Sequence, residues 1–145
     1  MTDGIKNIAI RQIENADIDL VIELWETCNH LISHNDPTTD ISFCRSSPNA
    51  ALFIGYVDSA LAASIMTGHD GHRGWIYYLA VDPKQEGKGF GRCMVWHAED
   101  RLRDRGVPKV NLMIRETNTE VREFYEAIGY ATEPRMVMAR FLTDD

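Results

Sequence analysis

A chain of 145 residues, 44% hydrophobic and 26% charged, is long enough to bury a sizeable core and reads as one globular α/β domain over residues 1–145. A net charge of −7 argues against general nucleic-acid binding, and no apolar run approaches the ~20 residues that span a bilayer, so neither nucleic acid nor membrane is an expected partner. Cys28, Cys44 and Cys93 are odd in number and widely spaced, which suits reduced thiols, and the N-terminus lacks a basic and apolar leader, so the expected location is cytoplasmic.

Ile8-Ala9-Ile10 with Ile13 predicts a short first strand, and Asn15 a helix cap. Ile18, Val21, Ile22, Trp25 and Cys28 then recur at helical spacing. The segment 34–47 begins with the turn signal Asn35-Asp36-Pro37 and predicts a short second helix. Residues 51–57 and 61–67 flank Asp58-Ser59 as two strands of a hairpin. Residues 68–74 form a polar, glycine-rich loop, and the nearly unbroken apolar run 75–81 predicts a central strand covered on both faces. A long helix follows, with Met94, Val95, Ala98 and Leu102 inward, and ends near Arg105-Gly106. Residues 108–115 predict another strand. Asn118 opens a helix containing Val121, Phe124, Tyr125 and Ile128, and Gly129 closes it. Residues 136–142 predict a last, apolar strand; at a sheet edge it would be covered by a second copy, in a homodimer. The order β-α-α-β-β-β-α-β-α-β predicts a mixed sheet with helices on both faces.

The most telling stretch joins the apolar run to the long helix. Asp82-Pro83 stops the run, and Gly87-Lys88-Gly89-Phe90-Gly91 follows at once. The first turn of a helix has unpaired N–H groups and the positive end of the macrodipole, and glycines let a phosphate approach them. Lys84, Lys88 and Arg92 cluster at the same place in an otherwise acidic chain. A phosphorylated cofactor is therefore expected. The loop GxxxxGK[ST] is absent, and the dinucleotide pattern G-x-G-x-x-G fails because position 92 is Arg.

Aligned on its glycines, Glu86-Gly87-Lys88-Gly89-Phe90-Gly91 resembles the acyl-CoA turn, Q/R-x-x-G-x-G/A, of the GCN5-related N-acetyltransferase (GNAT) family. A second motif strengthens the likeness: Asn118, Val121, Phe124, Tyr125, Gly129 and Tyr130 match N-x-x-A/V-x-x-F-Y-x-x-x-G-F/Y. Tyr78-Leu79-Ala80-Val81-Asp82-Pro83 is similar to the family's fourth strand, and the resemblance covers essentially the whole chain. Leu24-Trp25-Glu26, Asn35-Asp36-Pro37, 70–74 and Tyr77-Tyr78-Leu79 resemble in particular the YpeA-like bacterial branch.

That resemblance implies a mostly antiparallel central sheet splayed at the fourth strand, and acetyl-CoA as acyl donor. It implies that backbone groups of Leu79, Ala80 and Val81 hold pantetheine and that Glu86, Gly87, Lys88, Gly89, Phe90, Gly91 and Arg92 hold the pyrophosphate. The Leu79 N–H becomes the oxyanion donor. Asn118 and Tyr125 contact the cofactor, and Tyr125 serves as general acid, since a phenol near pKa ~10 can protonate a departing thiolate. Glu86 departs from the family's Gln or Arg; Lys88 and Arg92 can supply the positive charge it lacks.

Attack by an amine also calls for a base. The candidates are Glu23, Glu26, His30, His34, Asp36, His69, Asp70 and His72, and the resemblance places Glu26 and the 69–72 loop on the acceptor side. The pairs His69/His72 and His30/His34 carry no zinc signature, so no metal is expected. Trp25, Trp75 and Trp96 read first as core or pocket wall, with Trp25 a candidate wall of the acceptor site. The expected function is N-acetylation, by direct attack, of a primary amine on a small molecule or a protein. The alternatives are a non-catalytic acyl-CoA-binding or regulatory module and an interaction domain that has lost the cofactor.

Overall fold

The computed structural model describes residues 8–31 and 36–143; His34 and Asn35, named above as a base candidate and part of a turn, lie outside them. The chain forms two compact units, Met1–Met113 and Ile114–Asp145. In the first, β1 (Ile8–Gln12), β2 (Ala50–Val57), β3 (Ala60–His69), β4 (Gly74–Val81) and β5 (Val110–Leu112) make one sheet in the order β1-β2-β3-β4-β5. Every pairing is antiparallel except β4 with β5, which is parallel, so the sheet is mixed and mostly antiparallel as expected.

Period-two alternation along β2 divides the helices between the faces. Leu52 and Ile54 bury against Val21, Leu24 and Trp25 of α1 (Ile18–Thr27) and Ile41 and Cys44 of α2 (Pro37–Ser46). Phe53 and Gly55 face the other way, toward α3 (Phe90–Asp104). The Phe53 ring meets His97 edge-on at 4.5 Å, and a Cβ on Gly55 would lie 2.6 Å from the Ile8 side chain and 3.1 Å from the Met94 sulfur, so these side chains would have to shift to admit one. Asp58 and Ser59 carry φ of 51° and 69°, the left-handed pair of a tight hairpin turn.

Four expectations need correction. Asn15 is not the cap: it lies inside a short 3-10 turn, Asn15–Asp17, and its side chain accepts from Arg45. The cap is a box between Glu14 and Asp17, whose Oδ2 accepts from the Glu14 N–H at 2.8 Å. Asp17 is buried, holds the Arg11 fork at 2.8 and 3.1 Å and accepts from the Tyr56 hydroxyl at 2.7 Å. These bonds, Arg11 first, hold its carboxyl down at about 2.

The β4 strand is not covered on both faces, since Tyr77 stays 43% exposed; β2 and β3 are the strands sealed on each side. The predicted strand at 108–115 shrinks to Val110–Leu112, because β5 pairs with β4 over only three positions. In the second unit α4 (Thr119–Ala127) starts at Asn118, whose side chain accepts from the Val121 N–H at 3.2 Å, and ends at Gly129 with φ 104°. The last predicted strand does not form: residues 136–142 carry no strand assignment, and Met136 and Leu142 are 90% and 93% exposed. Apolar residues supply strand propensity, but a strand needs a ladder partner, and none is formed here among the described residues. The edge strands are β1 and β5, so this segment gives no edge for a homodimer. Among the described residues no helix is long and apolar enough to cross a membrane.

Candidate functional site

The glycine turn folds as its sequence dictates. After β4, Asp82 accepts from the Lys84 N–H at 2.9 Å and starts a 3-10 turn, Pro83–Gln85. Gly87 and Gly89 take φ of 80° and 84°, a region closed to most L side chains, and Gly89 becomes the N-cap of α3. The first backbone bond into the helix is Cys93 N–H to the Gly89 carbonyl at 3.1 Å, and no side chain caps this end. The N–H groups of Phe90, Gly91 and Arg92 therefore precede the helical ladder, as an anion cradle requires.

Beside this turn lies an open cleft of about 540 Å³, lined by Gly87, Lys88, Gly89, Phe90 and Arg92 together with Val57, Asp58 and Gln85. Lys88 Nζ donates to Gln85 at 3.0 Å, and the Arg92 guanidinium lies 5.4 Å over the Trp96 ring. Glu86 is exposed and does not line the cleft, so its carboxylate leaves the cradle to the two cations. A positively lined cleft with backbone donors fits a pyrophosphate. A second cavity, about 350 Å³ and lined by Arg45 and Arg101 among others, contains none of the expected site residues.

One strand earlier the sheet is interrupted. Met66 pairs with Tyr77 and Ser64 with Ala80, so Ile65 alone stands opposite both Tyr78 and Leu79. This is a β-bulge in β4, with one extra residue on that strand. Pairing with β5 has already stopped at Ile76, because β5 ends at Leu112. Tyr78 sits at φ 55°, a costly conformation for a bulky residue, of order 1–3 kcal/mol.

Side chains from the helical layer hold that strained residue. The Trp25 indole N–H donates to Ser64 Oγ at 2.9 Å, and Ser64 in turn donates to the Tyr78 carbonyl at 2.8 Å. The Trp25 and Tyr78 rings stack at 3.8 Å with 10° between planes. The Tyr78 hydroxyl donates to Asp40 of α2 at 2.6 Å, and the Cys28 thiol donates to the Val81 carbonyl at 3.3 Å. Burial, then Glu86, raise the Cys28 pKa, which keeps it a thiol. Trp25 is thus a wall behind the bulge and fully buried. Sequence reasoning passed over Ser64, Tyr78 and Asp40 as functional supports; the one available signal was a hydroxyl inside the apolar run Ala62-Ala63-Ser64-Ile65-Met66.

The base candidates separate by what they already do. Asp36 caps α2 through Thr38 and Thr39. Asp70 accepts from the Arg73 and His72 N–H groups and the Trp75 indole, which hold its carboxyl down at about 2. His69 Nδ1 accepts from the Gly71 N–H, and His72 is exposed. Glu23 and Glu26 are exposed on α1. His30 lies at the bulge, with its ring 6.3 Å from that of Tyr78. Among the described residues no three His, Cys, Asp or Glu side chains group as metal ligands. In the second unit, Tyr125 is buried beside the Phe124 and Tyr130 rings, and burial raises its pKa. The Asn118 side chain is occupied as the cap of α4.

Comparison with known proteins agrees with this geometry. Residues 18–130 match the model of the acetyltransferase (GNAT) family. An acetyltransferase of Yersinia enterocolitica is 38% identical over 136 residues, 94% of this chain and 96% of the relative. Among solved structures, the AAC(6')-Iy complex with the bisubstrate analogue CoA-S-monomethyl-acetylneamine superposes with TM-score 0.79 at 14% identity, over 94% of this chain and 99% of that one. An acetyltransferase of Clostridium acetobutylicum solved with acetyl-CoA gives TM-score 0.76 at 14% identity, over 92% and 96% of the two chains.

Proposed function

This chain belongs to the GNAT acetyltransferase family, and from that premise we propose that it is an N-acetyltransferase, moving an acetyl group from acetyl-CoA to a primary amine of a small molecule or protein. The observation that carries this reading is the pairing of two features on one strand–turn–helix. The bulge in β4 sets Tyr78 and Leu79 together opposite Ile65, and the uncapped end of α3 follows directly.

Gly87 to Arg92 would hold the pyrophosphate by backbone N–H groups, with Lys88 and Arg92 adding charge. Leu79, Ala80 and Val81 would hold the pantetheine arm as an added strand, since β5 leaves that edge after Ile76. When bound, acetyl-CoA supplies an activated acyl thioester. The Leu79 N–H would face the developing negative charge on the acyl oxygen, with the strained Tyr78 fixing its direction. Tyr125, which its raised pKa keeps protonated at neutral pH, would be the group that gives a proton to the departing sulfur. Glu26, exposed on α1, attracts a cationic acceptor and is available as a base. The family match spans both compact units, which favours reading residues 1–145 as one acetyltransferase domain.

The test is a release assay for free CoA with acetyl-CoA and a broad panel of amines, including amino sugars, polyamines and peptide N-termini. An aminoglycoside belongs in the panel because a protein of the same fold binds a CoA-linked aminoglycoside analogue. Calorimetric binding of acetyl-CoA with no turnover on any acceptor would favour a non-catalytic acyl-CoA sensor instead.

A further inference from the structure

The half of β4 before the bulge carries an aromatic surface that the cofactor geometry does not use. Tyr77 pairs with Met66, which packs against the core under α1 and α2, and Trp75 pairs with Gly68. Side chains two apart on a strand share a face, so both rings stand on the α1/α2 side of the sheet. They stack, with centroids 6.3 Å apart and 16° between planes. Gly68 offers no side chain to cover Trp75, and Tyr77 is 43% exposed. The next residues of the same strand are the bulge pair, Tyr78 and Leu79.

Asp70 closes the other end of this face. Its Oδ1 accepts from the His72 and Arg73 N–H groups at 2.9 and 2.8 Å, and its Oδ2 from the Trp75 indole at 3.2 Å. A carboxylate has about four acceptor sites, so one on Oδ2 remains. The three bonds keep the group ionised, and among the described residues no ion pair reaches it. Arg73 of the same loop turns its guanidinium to the His72 carbonyl at 3.0 Å.

We propose that Trp75, Tyr77 and Asp70 form the acceptor subsite and that the acceptor is a diamine or polyamine, with one nitrogen at the acyl carbon beside Leu79 and a second, cationic nitrogen over the rings and paired with Asp70. This rests on the acetyltransferase reading above. A cation over an aromatic face is attracted by the ring quadrupole, and the methylenes between the nitrogens bury apolar area on the same rings. Trp75 and Leu79 are four residues apart, so about 13 Å of strand separates them, less the shortening at the bulge. The two nitrogens should therefore lie about 10 Å apart. A monoamine that reaches Leu79 leaves Asp70 without a partner, and an anionic acceptor is repelled by it.

Protons and bonds balance as follows. The near ammonium first gives a proton to solvent. Its lone pair then forms the N–C bond as the C–S bond breaks; the nitrogen gives up a second proton and the sulfur takes one. The far ammonium keeps its charge throughout.

The experiment compares kcat/KM for α,ω-diamines of increasing length with that for monoamines of equal length, at saturating acetyl-CoA. The expected wild-type preference for the diamine is about fivefold, carried by KM and greatest near a nitrogen separation of about 10 Å. Asp70→Asn brings that preference toward one, and Tyr77→Leu raises the diamine KM about threefold. Asp104→Asn, which alters an exposed acid at the end of α3, keeps the full preference and so separates a local pair from general surface acidity. Each variant is checked for Tm and for acetyl-CoA affinity. Turnover with no diamine preference, or a preference that both Asp70→Asn and Tyr77→Leu retain, would overturn this proposal and leave the transferase reading standing. Calorimetric titration of octane diamine into the CoA-bound protein reads the subsite without chemistry. Binding should weaken in Asp70→Asn and Tyr77→Leu, and unchanged binding overturns the proposal. Absence of turnover with every amine would sink the transferase reading, and the titration then decides the subsite.

Discussion

Ser64→Ala tests whether the bulge is held by side chains or merely accompanied by them. Ser64 is fully buried, accepts from the Trp25 indole and donates to the Tyr78 carbonyl. Alanine fills nearly the same space but removes both bonds. Leaving a buried donor without its acceptor costs about 1–3 kcal/mol, and the weakened carbonyl adds to this, so a loss of about 2–3 kcal/mol is expected. For a domain of this size that corresponds to roughly 5–10 °C in Tm. The same change lets Tyr78 relax from φ 55° and moves the Leu79 N–H out of line. Loss of an oxyanion donor costs about 10²–10³ in kcat, so a misdirected one should cost about 10-fold or more, with the KM for acetyl-CoA little altered. Thr67→Val is the matched control. Thr67 is another buried β3 hydroxyl donating to a β4 carbonyl, that of Trp75 at 2.9 Å, but it lies outside the bulge. It should lower Tm and leave kcat intact. Equal kcat losses in both variants, or a Ser64→Ala protein with full kcat, would refute the reasoning.

Further outcomes follow from the same geometry. Gly89→Ala forces a side chain into φ 84°, about 1–2 kcal/mol uphill, and should raise the KM for acetyl-CoA about 10-fold, whereas Gly91→Ala, at a position without positive φ, should change it less than threefold. Steady-state kinetics with acetyl-CoA varied decides this. Tyr125→Phe should lower kcat strongly while calorimetric affinity for acetyl-CoA barely changes; unaltered turnover at saturating substrate would remove Tyr125 as the acid. Asp17 is held at about 2, below its usual 3.8, so its contribution of about 2 kcal/mol is complete above pH ~4 and disappears as pH falls toward 2. Denaturant titrations across that range should show wild type losing this increment, while Asp17→Asn lacks it at every pH.

Where local pattern and tertiary demand coincide, the sequence was readable. Helical spacing located α1, α3 and α4, and Asp58-Ser59 located the hairpin, because both signals act between neighbours in the chain. The glycine turn was legible for the same reason: φ of 80° and 84° at Gly87 and Gly89 is a demand that residue type alone can meet. Asn15 misled because the N-cap is Glu14, whose N–H is taken by Asp17, and only the Arg11–Asp17–Tyr56 bonds hold that carboxylate in place.

By itself, then, the chain determined its helices, its hairpin and its glycine turn, including the placement of Lys88 and Arg92 beside it. Only the tertiary structure decided that β4 is half exposed, that residues 136–142 form no strand, and that Glu86 stays outside the cleft. It also decided how the bulge is held. Trp25, Asp40, Ser64 and Tyr78 lie on four different elements, and the bonds between them depend on register and on the crossing of α1 and α2 over the sheet. Such bonds join residues far apart in sequence, so no local spacing encodes them.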